Sequence, residues 1–312
     1  MKKSVAILIL VGILIISSGC TRREGEPVEV NYRTGTQGLV LDFPTDTPNE
    51  LFENDPNVKM IIQLRNQGAF PQHDSGEHLD GWIWVGGFDK NILDLRFEEN
   101  RLRDDELEGK SPYNPRGGYS AVVLRGPLFN LPEGMELYEP RLLVIATYYY
   151  ETIANPIICI DPEPGATFVR EKVCNVKDPI SVSSQGAPIA VTRVEQHATH
   201  DNALFRIYIR NADKGLVIDE YDIDQNPNYG YDLDRMNYVT IKDVNVGNER
   251  MTECRPGIGD RIKLIENEGF MFCRFSTAGK IEAYTTSLNI RLSYGYTSSI
   301  ERPMKIFEEV IY

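Results

Sequence analysis

The side chains best suited to bind a metal ion lie in the run 197–201 (HATHD), which places imidazoles at His197 and His200. A zinc site needs a third and usually a fourth ligand, and none is visible beside this pair. The alternative is a turn between two strands, which the following Asp201-Asn202 favours. A surface hydrolase or other metal-dependent enzyme using this region or the insertion 94–115 is one hypothesis. Neither a His-Glu-x-x-His nor a Gly-x-Ser-x-Gly motif occurs in the chain.

A dense run of oxygen donors occupies 219–234, and such donors suit Ca²⁺. The run opens like an EF-hand loop but then departs from it, because Pro227 replaces the turn glycine and Leu233 replaces the bidentate acid. The alternative is a solvated acidic loop. The sequence indicates no other cofactor. The residues that would form the Ca²⁺ site are Asp222, Asp224, Asn226 and Asn228.

Two tryptophans, Trp82 and Trp84, lie on the same side of a strand predicted at 82–85. Aromatic rings in an alternating strand usually pack in the core, and core burial is our interpretation. The alternative is a glycan- or solute-binding receptor built around the two indoles, which would then be exposed.

The chain has five cysteines, and this odd number leaves one of them without a disulfide partner in the chain. The four internal cysteines form two short-range pairs, Cys159 with Cys174 and Cys254 with Cys273, one in each half of the chain. No Cys-x-x-Cys or Cys-His spacing favours zinc, so two disulfides are predicted. Closing a loop of about 15 residues stabilises the folded chain by roughly 3 kcal/mol in the loop-entropy model.

The composition is that of an acidic globular protein. With 312 residues, 41% of them hydrophobic, the chain is long enough for two domains with real cores. The formal net charge is −13, and the sequence contains no cluster of basic residues. Nucleic acid is therefore excluded as a partner, because phosphate binding requires clustered lysine and arginine.

The first twenty residues, 1–20, have the charged start, apolar centre and small-residue end of an export signal. The segment 16–20 (ISSGC) resembles a lipoprotein lipobox, with Ser17 where that motif usually has leucine. The resemblance implies that Cys20 is lipidated and becomes the mature N-terminus. The alternative is an uncleaved signal anchor. Either way, the body would lie on the extracytoplasmic face of the cell membrane, behind a flexible polar tether at 21–37.

An internal repeat organises the rest of the chain. The segment 58–68 (VKMIIQLRNQG) matches 203–215 (ALFRIYIRNADKG) at the shared Arg-Asn, and 142–150 matches 288–296 at a similar offset of about 145 residues. Both pairs alternate apolar and polar residues with a period of two, which predicts half-buried antiparallel strands. So long a period favours two domains over a solenoid or propeller.

We therefore predict an all-β chain of two tandem Ig-like β-sandwiches. The first domain spans 38–177 and includes a helix-like insertion at 94–109. A linker at 178–187 precedes the second domain at 188–312.

The lipobox-like leader, the strand ending in Arg-Asn-x-Gly and the opening Gly186-Ala187-Pro188 of the second module are similar to archaeal surface lipoproteins. The modules of that family resemble the Ig-like, CARDB-like adhesion and spacer domains of S-layer and cell-surface proteins. The resemblance implies a non-catalytic structural or binding module, tethered to the membrane by lipid or by an anchor helix. Its partner would be another surface protein or a glycan. No functional residue carries over from the resemblance.

Overall fold

The computed structural model describes residues 31–165, 172–251 and 253–309, without the side chains of 103–105. The predicted leader 1–20 with its lipidation site Cys20, and residues 21–30 of the predicted tether, lie outside this described part. Within it, no helix has the length and apolar character needed to cross a membrane.

The all-β class is confirmed. The described residues form strands in four sheets, and their helical content is limited to the short 3-10 helices Asp105–Leu107, Pro227–Tyr229 and Leu233–Arg235. The strands of the first half are β1 (Leu39–Asp42), β2 (Glu50–Phe52), β3 (Val58–Asn66), β4 (Leu79–Gly86), β5 (Arg96–Phe97), β6 (Arg101–Asp104), β7 (Tyr119–Gly126), β8 (Leu137–Tyr138), β9 (Arg141–Ala154) and β10 (Ile157–Ile160). Those of the second half are β11 (Ile180–Ser181), β12 (Ile189–Ala198), β13 (Asn202–Asn211), β14 (Val217–Ile218), β15 (Tyr238–Val246), β16 (Glu249–Arg250), β17 (Glu253–Arg255), β18 (Arg261–Lys263), β19 (Glu268–Ser276), β20 (Tyr284–Pro303) and β21 (Lys305–Phe307).

One large sheet, here called the central sheet, runs through both halves of the chain. Its main path is β16-β15-β20-β9-β4-β6, and β10, β14 and β18 pair onto it. Strand β9 of the first half pairs antiparallel with β20 of the second half, from Ala154↔Ile290 to Arg141↔Pro303. The two halves therefore share a sheet, and Tyr32–Tyr312 forms one compact unit.

Two smaller sheets cover the inner face of the central sheet. The four-stranded sheet has the order β1-β3-β7-β5, and the five-stranded sheet has the order β11-β12-β13-β19-β17. In β3, the alternate residues Val58, Met60, Ile62 and Leu64 are buried, as the period of two predicted. A third small sheet, β2-β21-β8, joins the end of the chain to the first half through a parallel pairing of β2 with β21. The fold is therefore sandwich-like, with one layer continuous across both halves.

The pairing of β9 with β20 relates the two repeats by a local twofold axis. Tyr148 is equivalent to Tyr294 in the repeat, yet it pairs with Tyr296, and Tyr150 pairs with Tyr294. This crossed pairing is what a twofold axis between two equivalent antiparallel strands produces. All four tyrosines are buried, and burial raises the pKa of each hydroxyl above its usual value of 10.0.

The asparagine of the repeated Arg-Asn connects each covering sheet to the central sheet. Tyr150 Oη donates to Asn66 Oδ1 at 3.0 Å, and in the other copy Tyr296 Oη donates to Asn211 Oδ1 at 3.0 Å. Each asparagine also donates from Nδ2 to the carbonyl four residues later, at 2.7 Å from Asn66 and 2.9 Å from Asn211. Two equivalent hydrogen bonds of the asparagine, one with a tyrosine hydroxyl and one with a backbone carbonyl, therefore recur in both copies.

The glycine that follows the Arg-Asn makes room for the tyrosine. A Cβ atom on Gly68 would lie 1.9 Å from Tyr150 Oη, and one on Gly215 would lie 2.5 Å from Tyr296 Cε1. Only glycine allows this close approach of backbone and ring. The repeated motif is thus explained by packing at the junction of the sheets.

The predicted linker 178–187 is built into the fold. It contains β11, which pairs with β12, and its Gly186 carbonyl accepts a hydrogen bond of 2.6 Å from Ala69 N in the first half. The end of the predicted tether is also held, because Gly35 N donates to Ser184 Oγ at 3.0 Å and Lys110 Nζ donates to Thr34 O at 3.2 Å. Residues 34 and 35 are therefore part of the folded body.

The helix predicted in the insertion 94–109 is not observed. The insertion contains β5, which pairs with β7, and β6, which pairs with β4, followed by the 3-10 helix Asp105–Leu107. Leu95, Leu102 and Leu107 are buried, but on these separate elements rather than on one helical stripe. The pairing of β5 with β7 and of β6 with β4 outweighed the local helical preference of the insertion.

Both predicted disulfides are present. Cys159 joins Cys174 over a sequence separation of 15, and Cys254 joins Cys273 over a separation of 19. The second disulfide links directly opposite residues of β17 and β19. Two disulfides indicate an oxidising environment outside the cytoplasm.

Candidate functional site

The histidines do not converge. His197 is exposed on β12, and His200 is exposed in the following turn, where its Nε2 lies 3.9 Å from Asp201 Oδ1. His73 is elsewhere, with its Nδ1 3.0 Å from Glu108 Oε2. Among the described residues, no group of three or more His, Cys, Asp and Glu side chains could hold a metal ion. The predicted turn at 199–202 is formed, with Thr199 N donating to Asn202 O at 2.8 Å.

Two arginines pair with the inner carboxylates of the acidic segment 219–234. The Asp219 carboxylate is buried and accepts from Arg261 at 2.6 Å and from Arg235 at 3.2 Å. Asp222 Oδ1 pairs with Arg235 at 2.8 Å. Burial raises the pKa of Asp222, and Arg235 opposes that shift. The two arginines thus neutralise the inner carboxylates of the segment.

The acidic segment 219–234 and the two residues after it, together 219–236, form what we call the acidic loop on the outer face of the central sheet. Thr147 Oγ1 donates to Ile223 O at 2.6 Å, and Asn228 Nδ2 donates to Val85 O at 3.2 Å. These two bonds anchor the loop to β9 through its backbone at Ile223 and to β4 through the Asn228 side chain. Glu220 accepts from Ser293 Oγ at 2.7 Å and Thr240 Oγ1 at 3.0 Å, whereas the other acids of the loop, outside the arginine pairs, face solvent together with several large apolar side chains. The exposed residues are Tyr221, Asp224, Tyr229, Asp232, Leu233 and Asp234.

The core burial expected for Trp82 and Trp84 is wrong. Leu79 and Ile83 point into the core from β4, so the period of two places both tryptophans on the opposite, outer face of the central sheet. The indoles are half-buried and stack on each other, with centroids 6.0 Å apart and an angle of 18°. Trp84 Nε1 donates to Thr147 Oγ1 at 3.3 Å. The pair therefore uses part of its ring surface for self-stacking.

A second network on the outer face of the central sheet surrounds Glu151, which is 4% exposed. Arg291 pairs with Glu151 and, at 2.6 Å, with Glu77. The Tyr149 hydroxyl also donates to Glu151, and burial, together with this hydrogen bond, raises the pKa of Tyr149. These residues line an open depression of about 770 Å³. Each buried charge there has a partner, which makes the network a structural ion-pair cluster.

The surface with the clearest binding character is the outer face of the five-stranded sheet, formed by β12, β13, β19 and β17. We call it the Arg206 face. Cross-strand pairing places Arg206 between Glu195 on β12 and Phe272 on β19, and Tyr208 opposite Phe270. All of these side chains alternate with core residues such as Phe205 and Ile207, so they point outward.

Arg206 is held against three aromatic rings. Its guanidinium carbon lies 4.4 Å from the ring centroid of Phe270, 4.9 Å from Tyr208 and 5.2 Å from Phe272. The two phenylalanines are in edge contact, with centroids 5.3 Å apart, and remain 43% and 49% exposed. Exposed aromatics around an arginine are the composition typical of the centre of a protein interface.

The charge of the Arg206 face is opposite in sign to that of the chain. Its basic residues are Arg193, Arg206, Arg210, Arg255 and Arg274, and its acidic residues are Glu195, Glu253 and Glu268, so five charges against three leave +2. Arg193, Arg210 and Arg274 pair with these glutamates. Within the described part of the chain, Arg206 and Arg255 have no ion pair, and the buried Arg206 Nε has no hydrogen-bond acceptor.

The equivalent face in the first half has no such cluster. Aligned at the Arg-Asn, Ile61 corresponds to Arg206 and Gln63 to Tyr208, and the neighbouring outward positions on β7 are Ala121 and Val123. Within residues 31–309 as far as the structure describes them, the aromatic cluster therefore belongs to the second copy. This cluster was not predicted from the sequence. The segment 268–276 (EGFMFCRFS) nevertheless has apolar residues at both odd and even positions, so neither side of the strand is consistently polar.

No protein-family model matches the chain, and a search of curated proteins finds no match to it.

Proposed function

We propose that the chain is a membrane-tethered, extracytoplasmic binding module of the cell surface, without catalytic turnover, and that the Arg206 face is its contact surface. The observation that carries the proposal is a net-positive, aromatic sheet face on an acidic protein, with an arginine, Arg206, that forms no ion pair with any residue that the structure describes. Removing water from such a face costs little free energy if the partner supplies an acidic group and apolar surface. The lipobox-like leader and the resemblance to archaeal surface lipoproteins support the tether.

Photocrosslinking from the Arg206 face tests the binding role in intact cells. A photoreactive amino acid at Leu204, which is exposed at the edge of the face, is expected to give defined crosslinked products. The matched control is Lys59, the equivalent outward position in the first half, which should give few. Adding Arg206→Glu to the Leu204 probe should reduce the product about 10-fold or more, as loss of an interface hot spot does. Equal yields from both probes would contradict the proposal.

Lipid labelling tests the tether. The full chain expressed with its own leader is expected to incorporate a radiolabelled lipid and to fractionate with membranes, and Cys20→Ser should abolish the incorporation. The reason is that only the Cys20 thiol can receive the lipid, since the four other cysteines form disulfides. If Cys20→Ser stays in the membrane fraction and wild type carries no lipid, the segment 1–20 is an anchor instead.

A further inference from the structure

We infer that the partner of the Arg206 face is a second copy of this chain, which inserts its acidic loop (residues 219–236) and so builds a head-to-tail assembly. The inference rests on the proposed function, because it names the occupant of the same face. The proposed partner is therefore a protein, namely another copy of the same chain.

The two surfaces are complementary in charge. The acidic loop carries six acidic residues and one basic residue, Arg235, which leaves a net charge of −5. The strands of the Arg206 face carry +2, or +1 when Asp178, which lines the same depression, is counted. Arg235 and Arg261 satisfy only the inner acids. Asp224, Asp232 and Asp234 are exposed, and no ion pair in the described part of the chain involves them. Their charge is therefore available to Arg206 and Arg255 of another copy.

The two surfaces are also complementary in apolar character. The acidic loop exposes Tyr229 at 87%, and Tyr221 and Leu233 at 78% each. The Arg206 face exposes Leu204, Phe270 and Phe272, and two of them, Leu204 and Phe272, help to line an open depression of about 870 Å³. Large exposed apolar side chains on both surfaces would lose water on contact, and aromatic side chains dominate interface energetics.

The fold prevents one copy from closing this contact on itself. The acidic loop lies on the outer face of the central sheet, because its anchor Thr147 and the Ser293 that donates to Glu220 at 2.7 Å both point outward. The Arg206 face is the outer face of the five-stranded sheet, which packs on the inner side of the central sheet. The two surfaces point in opposite directions, so the contact joins different copies and is heterologous. Such a contact repeats into open chains or rings.

Sedimentation of the purified full chain over a concentration series tests the inference. Wild type is expected to grow beyond a dimer as concentration rises, and the growth should weaken in high salt because exposed charges are screened. Arg206→Glu should be monomeric, and so should Asp232→Lys/Asp234→Lys. The matched control is Ile61→Glu, the position equivalent to Arg206 in the first half, and it should assemble like wild type.

Mixing the two monomeric variants is the decisive measurement. Arg206→Glu keeps an intact acidic loop, and Asp232→Lys/Asp234→Lys keeps an intact Arg206 face, so their equimolar mixture should form a dimer and nothing larger. A mixture that stays monomeric, while both variants keep the wild-type melting temperature and circular dichroism, would overturn the inference. So would wild type that is monomeric at concentrations on the order of 0.1 mM. If crosslinks from Leu204 then identify a different protein or a glycan, the proposed function stands and the self-assembly fails.

Discussion

Replacing Asn66 by alanine is expected to lower the free energy of unfolding by about 3–5 kcal/mol, one of the two largest effects we predict for a single side chain. Asn66 is fully buried and uses its whole hydrogen-bonding capacity. It donates to Phe70 O and Leu107 O at 2.7 and 3.0 Å. It accepts from Gly68 N and Tyr150 Oη at 3.1 and 3.0 Å. Alanine would leave four buried polar groups without this partner, which is what makes the loss large.

Denaturant unfolding of Asn66→Ala, Asn211→Ala and Tyr150→Phe measures the effect. Asn211 is the equivalent residue of the second copy, but it is 8% exposed and makes three such hydrogen bonds. Asn211→Ala should therefore lower the free energy of unfolding by less, about 2–3 kcal/mol. Tyr150→Phe removes the hydroxyl that donates to Asn66 Oδ1 at 3.0 Å and accepts weakly from Phe70 N at 3.4 Å, and it should cost about 1–2 kcal/mol. If Asn66→Ala and Asn211→Ala lost equal free energy of unfolding, burial and the number of hydrogen bonds would not determine how much each asparagine stabilises the fold.

The second large effect is expected for Arg291→Met, at about 2–4 kcal/mol. Methionine has a similar length but no charge, so the Glu151 carboxylate, 4% exposed, would be left in the central sheet with Tyr149 as its remaining hydrogen-bond donor. An uncompensated buried charge costs more than a surface ion pair because water cannot solvate it. The partial exposure of Arg291 keeps the expected loss below that of a fully buried pair.

A double-mutant cycle with Glu151→Gln checks the cause of this loss. Glutamine keeps an acceptor for the Tyr149 hydroxyl and removes the charge, so Arg291→Met/Glu151→Gln should recover much of the stability lost by Arg291→Met. The matched surface control is Arg250→Met, because Arg250 is 63% exposed in its pair with Asp243 and should cost less than about 1 kcal/mol. No recovery in the double variant would mean that the methylene packing of Arg291, and not its charge, carries the stability.

Patterns local to a strand were predictable from the sequence. The alternation in 58–68 and 203–215 predicted the buried side of β3 and β13, because the side-chain period of a strand needs no knowledge of its neighbours. The odd cysteine count and the short spacing of the others predicted both disulfides. The candidate site was not predicted as a whole. Leu204, Arg206 and Tyr208 come from one strand and Phe270 and Phe272 from another, and their alignment depends on the register of β13 with β19.

The sequence by itself determined the all-β class, the internal repeat, the buried face of its strands and the pairing of cysteines. Only the tertiary structure decided that β9 and β20 join the repeats into one sheet, that the insertion 94–109 forms strands, and that Trp82 and Trp84 lie outside the core. The physical reason is that strands pair through backbone groups, which every residue shares. Side-chain patterns therefore show which way a strand faces, whereas the choice of neighbouring strand, and with it every surface assembled across strands, emerges only when the whole chain packs.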